Sequence, residues 1–173
     1  MIYRDYEALI ARKKRDGGLT MAFGCFDIFH YGHLRFLQKV REKSTYPVVV
    51  GILDDVLVRA RKGDGRPVNS EVHRAEIVDA LKCVDGVIIL SREGAFEPYR
   101  TRYGAEDDAA MLWTKCLDCL AVVRPTRFYY SDDFPVTDSI LKLFADCRIS
   151  AETLPYTQGI SSTELLKKAS DRP

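Results

Sequence analysis

Short apolar runs alternate with amphipathic stretches along the whole chain. Residues 4–15 set Tyr6, Leu9 and Ile10 against a face of Arg and Lys, which predicts a helix stopped by Gly17 and Gly18. Leu19 to Phe26 is an apolar run of the kind that forms a buried strand. Leu34, Leu37 and Val40 then recur at helical spacing. Between run and helix lies the glycine-bearing segment Gly24-Cys25-Phe26-Asp27-Ile28-Phe29-His30-Tyr31-Gly32-His33. Strand, loop and helix in that order make the first half of a βαβ unit.

The pattern continues in the same alternation. Tyr46 to Leu53 (YPVVVGIL) is continuous and β-branched, the composition of a strand covered on both faces. Gly86 to Leu90, Thr126 to Ser131 and Ile149 to Leu154 predict three more strands, five in all. Helices are predicted over 70–82, 109–121, 138–147 and 162–169. In the first of these, Val72, Ala75, Val78 and Leu81 share a face, and Asn69 or Ser70 can cap it. Residues 61–69 form a polar Gly/Pro loop, and 94–108 are polar and irregular. The expectation is one α/β domain over residues 1–173, with an N-terminal helix in 1–18, a core over 19–170 and a mostly parallel sheet. Ligands in such sheets bind beyond the carboxyl ends of the strands, where strand order reverses.

Composition narrows the classes. The 173 residues carry 26 Lys and Arg against 25 Asp and Glu, a net charge of +1. That balance speaks against a nucleic-acid arm or a polybasic membrane patch, and leaves room for a small anion. No apolar run approaches the roughly 20 residues of a membrane span, and the N-terminus lacks a secretory apolar core. Five cysteines, an odd count in a full-sized domain, fit free thiols in a reducing, cytoplasmic setting.

Two of the three histidines, His30 and His33, flank Gly32 between a strand and a helix. A helix N-terminus offers free N–H groups and partial positive charge, which suit phosphate. Gly32 lets a ligand approach the backbone, and two imidazoles three residues apart share a side. Zinc is a poor fit, since Asp27 is the only further candidate ligand nearby. A second cluster, Arg61-Lys62-Gly63-Asp64-Gly65-Arg66-Pro67-Val68-Asn69 with His73 and Arg74, brings cations to a glycine loop that is not a Walker loop. A third, Gly159-Ile160-Ser161-Ser162-Thr163, puts three hydroxyls where the last helix opens, either as a cap or as an anion site. Cys116 and Cys119 have redox-pair spacing but lie in an apolar stretch, so core cysteines are expected. Asp132 and Asp133 after the fourth strand suit a cation, a base, a sugar or a turn.

GCFDIFHYGH resembles the G-x-F-D-x-x-H-x-G-H motif of the cytidylyltransferase-like nucleotidylyltransferases. RPVN with HRAEIVDALKCVD resembles that family's second block, and GISSTELLKK its C-terminal helix start. The three occur in family order over about residues 20–168. The resemblance implies a Rossmann-like, three-layer fold with a mostly parallel five-stranded sheet. It implies transfer of a nucleoside monophosphate from a triphosphate to a phosphorylated small alcohol or sugar, with release of pyrophosphate and no covalent intermediate. Mg²⁺ would be held through the triphosphate rather than by side chains. By position, His30 and His33 would contact the triphosphate, Lys62 the acceptor phosphate or α-phosphate, and Arg74 the triphosphate. Ser161, Ser162 and Thr163 would hold the β- and γ-phosphates, Asp27 would shape the loop, and Gly24, Cys25 and Phe26 would lie against the nucleotide. Gly32, Asp132, Gly159 and Ile160 complete the expected nucleotide site. A homodimer is common among such enzymes.

The subfamily signals diverge. GISST after Thr157-Gln158-Gly159, and Ser131-Asp132-Asp133, resemble the glycerol-phosphate, phosphocholine and phosphoethanolamine cytidylyltransferases, which makes CTP and transfer of CMP the favoured expectation. That group usually carries Arg where this chain has Tyr156. The leading helix and KGDGRPVN resemble the heptose-phosphate adenylyltransferases, which use ATP, and archaeal-type FAD synthases, which act on FMN, share the frame. The stretch 92–120 is longer than in either group. A non-catalytic nucleotide sensor would usually lose a histidine or the lysine, whereas His30, His33, Lys62 and Arg74 are all present. A tRNA-synthetase-like fragment would share H-x-G-H, but an anticodon-binding part is missing from the sequence.

Overall fold

A computed structural model describes residues 1–90, 108–132, 134, 136–155, 157 and 159–170, with backbone alone for 108–115. Six strands, β1 (Ile2–Tyr3), β2 (Thr20–Gly24), β3 (Val48–Leu53), β4 (Gly86–Leu90), β5 (Arg127–Ser131) and β6 (Ser150–Leu154), form one sheet. Its order is β1-β4-β3-β2-β5-β6, and every pairing is parallel. The helices are α1 (Tyr6–Arg15), α2 (Tyr31–Lys43), α3 (Asp55–Lys62), α4 (Glu71–Asp79), α5 (Asp108–Val123), α6 (Asp138–Asp146) and α7 (Ser162–Ser170).

Side chains on a strand alternate between faces, and the two cores follow that alternation. Met21, Val49, Ile88 and Phe128 pack under Leu9 of α1, Leu57 and Val58 of α3, Cys116 and Leu120 of α5 and Leu143 of α6. Their neighbours Ala22, Val50, Val87 and Tyr129 pack on the other side with Leu37 and Val40 of α2 and Ala75 and Val78 of α4. The β-branched run at Val48–Leu53 is buried at every position, as a strand covered on both faces must be. From β2 the chain moves outward through β3 and β4, then returns to place β5 on the other side of β2. The order therefore reverses between β2 and β5, and a crevice opens at their carboxyl ends.

The five expected strands are all present, and β1 is a sixth. It pairs Ile2 with Val87 and Tyr3 with Ile88, inside the segment expected to hold only a helix. Two residues are too short to show any period. Helix α3 is a second addition, and its last two residues, Arg61 and Lys62, take the start of the expected 61–69 loop. Asp54 caps it by accepting from Leu57 N at 2.7 Å, and only Leu57 and Val58 are buried, so two turns left little apolar signature. Helix α4 is rotated from its expected face: Arg74, Ala75 and Val78 are buried while Val72 is 51% exposed.

Candidate active site

The chain leaves β2 through a tight loop and enters α2 at His30. The backbone of His30 is extended, and its Nδ1 accepts the Gly32 N–H at 3.1 Å, which caps the helix. A neutral imidazole whose Nδ1 accepts carries its hydrogen on Nε2. That Nε2 is buried and has no hydrogen-bond partner among the described residues. Burial, and then the charge of Lys62, push the His30 pKa below the usual imidazole value, so the ring is neutral at neutral pH. The His30 and His33 rings stack with centroids 3.8 Å apart. Phe26 and Phe29 brace His33 at 5.3 and 5.5 Å. A Cβ at Gly32 would come within 3.0 Å of His30 Cε1 and 3.3 Å of Ile160 Cγ2, so the glycine lets the start of α7 close against the start of α2.

Asp27 is the point at which the three sequence blocks meet. Its carboxylate is fully buried and accepts from Val68 N at 3.0 Å, Asn69 N at 3.0 Å, Ile28 N at 3.1 Å and Arg66 Nε at 2.6 Å. Its carbonyl accepts from Ser162 Oγ at 2.8 Å. Burial alone would raise its pKa; the Asn69 and Val68 N–H bonds and the Arg66 guanidinium outweigh that and lower it. Phe26 and Ile28, on either side, have φ of +52° and +48°. A β-branched residue there is strained, at a cost on the order of 1–3 kcal/mol. The hydrogen bonds of Asp27 hold this conformation.

The structure sorts the remaining candidates. Gly24, Cys25, Phe26, Gly32, His33, Lys62, Ser161, Ser162 and Thr163 line one cleft at the β2/β5 reversal. His30 and Asp27 sit behind that surface. Lys62 is the exposed last residue of α3 and reaches the cleft just before Gly63 (φ +86°), a conformation that suits glycine. Arg74 does not line the cleft. It is fully buried, with Nη1 donating to the Cys25 carbonyl at 2.5 Å, Nε to the Asn69 carbonyl at 3.0 Å and Nη2 to Asp55 at 2.7 Å. Its guanidinium ties the two loops together from inside, where a triphosphate contact was expected. Ser161 Oγ accepts from Glu164 N at 3.1 Å, so it caps α7 while lining the cleft. Asp132 is exposed and, with Gly159 and Ile160, falls outside the lining. Asp133, Tyr156 and all of 92–107 lie outside the described residues.

One wall of the cleft was not expected from the sequence. Phe23 and Phe128, with Tyr130, Ser131 and Phe134, line it from β2 and from β5 and its following turn. Cys116 and Cys119 are in the core under α1, fully buried and free, with burial pushing both thiols far above their usual pKa. Among the described residues no group of three His, Cys, Asp or Glu could hold a metal ion, and no described helix is long and apolar enough to cross a membrane.

The sequence pattern of the family described as cytidylyltransferase-like matches residues 21–168. Among curated relatives, the bifunctional protein HldE of Streptomyces coelicolor is 34% identical over 168 residues, 96% of this chain and 32% of that protein. The HldE of Campylobacter jejuni subsp. doylei is 27% identical over 166 residues, 96% of this chain and 31% of that protein. The chain thus spans about a third of the length of these relatives. In solved structures, the pantoate-beta-alanine ligase of Francisella tularensis superposes with a TM-score of 0.62 at 14% identity, covering 98% of this chain and 77% of that one. The pantothenate synthetase of Thermus thermophilus gives 0.60 at 17% identity, covering 97% and 70%. These structural likenesses speak to the fold alone.

Proposed function

Because the chain belongs to the cytidylyltransferase-like family, we propose that it is a nucleotidylyltransferase that moves an adenylyl group from ATP to a phosphorylated sugar, releasing pyrophosphate. The observation that carries this reading is the meeting of the H-x-G-H loop, the Lys62–Asn69 loop and the start of α7 around Asp27, at one cleft. Each of these elements suits phosphate, and a transfer between two phosphorylated reactants needs several such contacts in one place.

ATP is preferred over the CTP that the Ser131-Asp132-Asp133 and GISST segments suggest. KGDGRPVN and the leading helix resemble the heptose-phosphate adenylyltransferases, and Tyr156 stands where the CTP-using group usually has Arg. The HldE relatives align over 96% of this chain.

In the proposed reaction an ionised oxygen of the acceptor phosphate attacks the α-phosphorus. The new P–O bond forms as the α–β bridging bond breaks, and pyrophosphate leaves with the electron pair. The attacking oxygen carries no proton at neutral pH, so the protein's work is to orient and to stabilise charge. His33, at the cleft, and the Nε2–H of His30 behind it donate toward phosphate oxygens. Lys62 brings the two anions together, and the N–H groups and hydroxyls at the start of α7 hold the leaving phosphates. Mg²⁺, when bound, neutralises phosphate charge. The residues fit a metal carried by the substrate, since the described cleft lining has no carboxylate and Asp27 is engaged inside.

The test is pyrophosphate release with Mg²⁺, each of ATP, CTP, GTP and UTP, and a panel of sugar phosphates, with the coupled product identified by mass. Product from ATP and a sugar phosphate is expected. Product from CTP but not ATP would overturn the nucleotide assignment. Sedimentation tests the homodimer implied by the family resemblance.

A further inference from the structure

The cleft draws its lining from both faces of the sheet, and the two faces differ in chemistry. On the α2 face are His33 and the start of α7, with Ile160 close against Gly32. On the opposite face, the one that α3 shares, are Phe23, Tyr130 and Phe134, and the α3 cations Arg61 and Lys62 end at the same cleft. The aromatic face is backed in depth. Phe23 and Phe128 lie 4.9 Å apart, Tyr130 and Phe134 lie 5.3 Å apart, and Phe128 is fully buried beneath them.

The strand glycine Gly51 belongs to this arrangement. It is the register partner of Phe23, and a Cβ there would come within 2.5 Å of the Phe23 ring. Gly51 therefore leaves the space in which the ring of Phe23 lies, the close approach that a glycine inside a strand marks. The half-buried ring of Phe23 is a fixed platform facing the cleft.

We infer that Phe23 and Tyr130 form the acceptor subsite and select an acceptor whose carbon skeleton is a sugar ring, with its phosphate toward Arg61 and Lys62. This rests on the proposed transfer reaction, which requires two anionic substrates in one cleft. With the triphosphate on α2 and α7, the nucleoside is assigned to their side of the cleft and the second substrate to the aromatic face. The C–H face of a chair-shaped sugar ring covers aromatic faces such as these. A linear glycerol chain offers no such face. A choline headgroup would suit aromatic rings, but here it would meet two cations and no described carboxylate in the lining. The platform thus favours a cyclic sugar phosphate over the linear phospho-alcohols.

The experiment has two readouts. Thermal unfolding is followed with hexose and heptose 1-phosphates, glycerol 3-phosphate, phosphocholine and FMN, each with and without ATP and Mg²⁺. Initial rates give separate KM values for ATP and acceptor. In the wild type, the sugar phosphates raise the midpoint and the linear esters do not. Phe23→Leu and Tyr130→Leu each raise acceptor KM about tenfold, the factor that about 1.4 kcal/mol represents, with ATP KM within about twofold. Tyr130→Phe, which keeps the ring, raises acceptor KM less than Tyr130→Leu does, and ligand-free unfolding midpoints of all the variants separate a general loss of fold. Gly51→Ala, which touches no substrate, raises acceptor KM by displacing the platform.

A rise in ATP KM instead would assign the wall to the nucleobase and overturn the inference. So would a wild-type shift with glycerol 3-phosphate or phosphocholine equal to that with sugar phosphates, a shift with FMN alone, or no shift with any acceptor. Sugar-phosphate shifts that depend on Tyr130, without any turnover of ATP, would uphold the subsite while rejecting the proposed reaction.

Discussion

Two short motifs in this chain have the look of chemistry, H-x-G-H at His30–His33 and C-x-x-C at Cys116–Cys119, and the fold treats them oppositely. The histidines stand where a buried strand gives way to a helix N-terminus, at the reversal of the sheet, and His33 lines the cleft. The cysteines stand in the last half of α5, fully buried, with burial holding both thiols protonated. A thiol reacts as thiolate, so the cysteine pair is inert for the same reason that it packs well. The address of a motif in the fold decides its chemistry: one is at the carboxyl edge of the sheet, the other beneath its face.

The comparison breaks first at His33. His33→Ala is expected to lower kcat roughly a hundredfold or more, the scale of losing a transition-state donor, with the unfolding midpoint nearly unchanged. Near wild-type turnover in a steady-state assay would remove the histidines from the reaction. Asp27→Ala comes next and acts on stability. It leaves the Arg66 guanidinium buried without its carboxylate and strips acceptors from three backbone N–H groups. Breaking a buried pair costs about 3–5 kcal/mol, to be read from denaturant unfolding. A loss below about 1 kcal/mol would deny the ion pair a structural role.

Acid sharpens the same contrast. The folded-state pKa of Asp27 is lowered, so its contribution to stability is full above the unfolded aspartate value of about 3.9 and is lost as pH falls through the lower folded value. The His30 pKa is also lowered, and protonating Nδ1 would break its bond from Gly32 N–H. The acid limb of kcat is therefore expected to have its midpoint below the usual imidazole value of about 6.5. A midpoint above that value would contradict the neutral, capping imidazole. The smallest effect belongs to the cysteines. Cys116→Ser is expected to leave kcat within about twofold while costing on the order of 1–3 kcal/mol for a buried hydroxyl. Abolished turnover in a folded variant would restore the thiols to the chemistry.

Much of this architecture could be read from the chain because buried parallel strands announce themselves as continuous β-branched runs, as at Val48–Leu53. What escaped was short or tertiary. Two-residue β1 and two-turn α3 give no period. Arg74 looked like a ligand-binding cation. Its place in the same turn as Ala75 and four residues before Val78 points it inward, where Cys25 and Asn69 carbonyls and Asp55 await it. The role of Arg66 depends on Asp27, 39 residues away in sequence. The aromatic wall joins Phe23 to Tyr130, which only the return of β5 beside β2 makes neighbours.

The most direct test of the central claim is thermal unfolding with Mg²⁺ and saturating ATP or CTP, in the wild type and in His33→Ala. A nucleotide at about a hundred times its dissociation constant adds about 2.7 kcal/mol, a rise of roughly 5–10 °C for a domain this size. The account predicts that rise with ATP, little with CTP, and a smaller rise in the variant. A rise with CTP alone, or an ATP effect untouched by loss of His33, would contradict it.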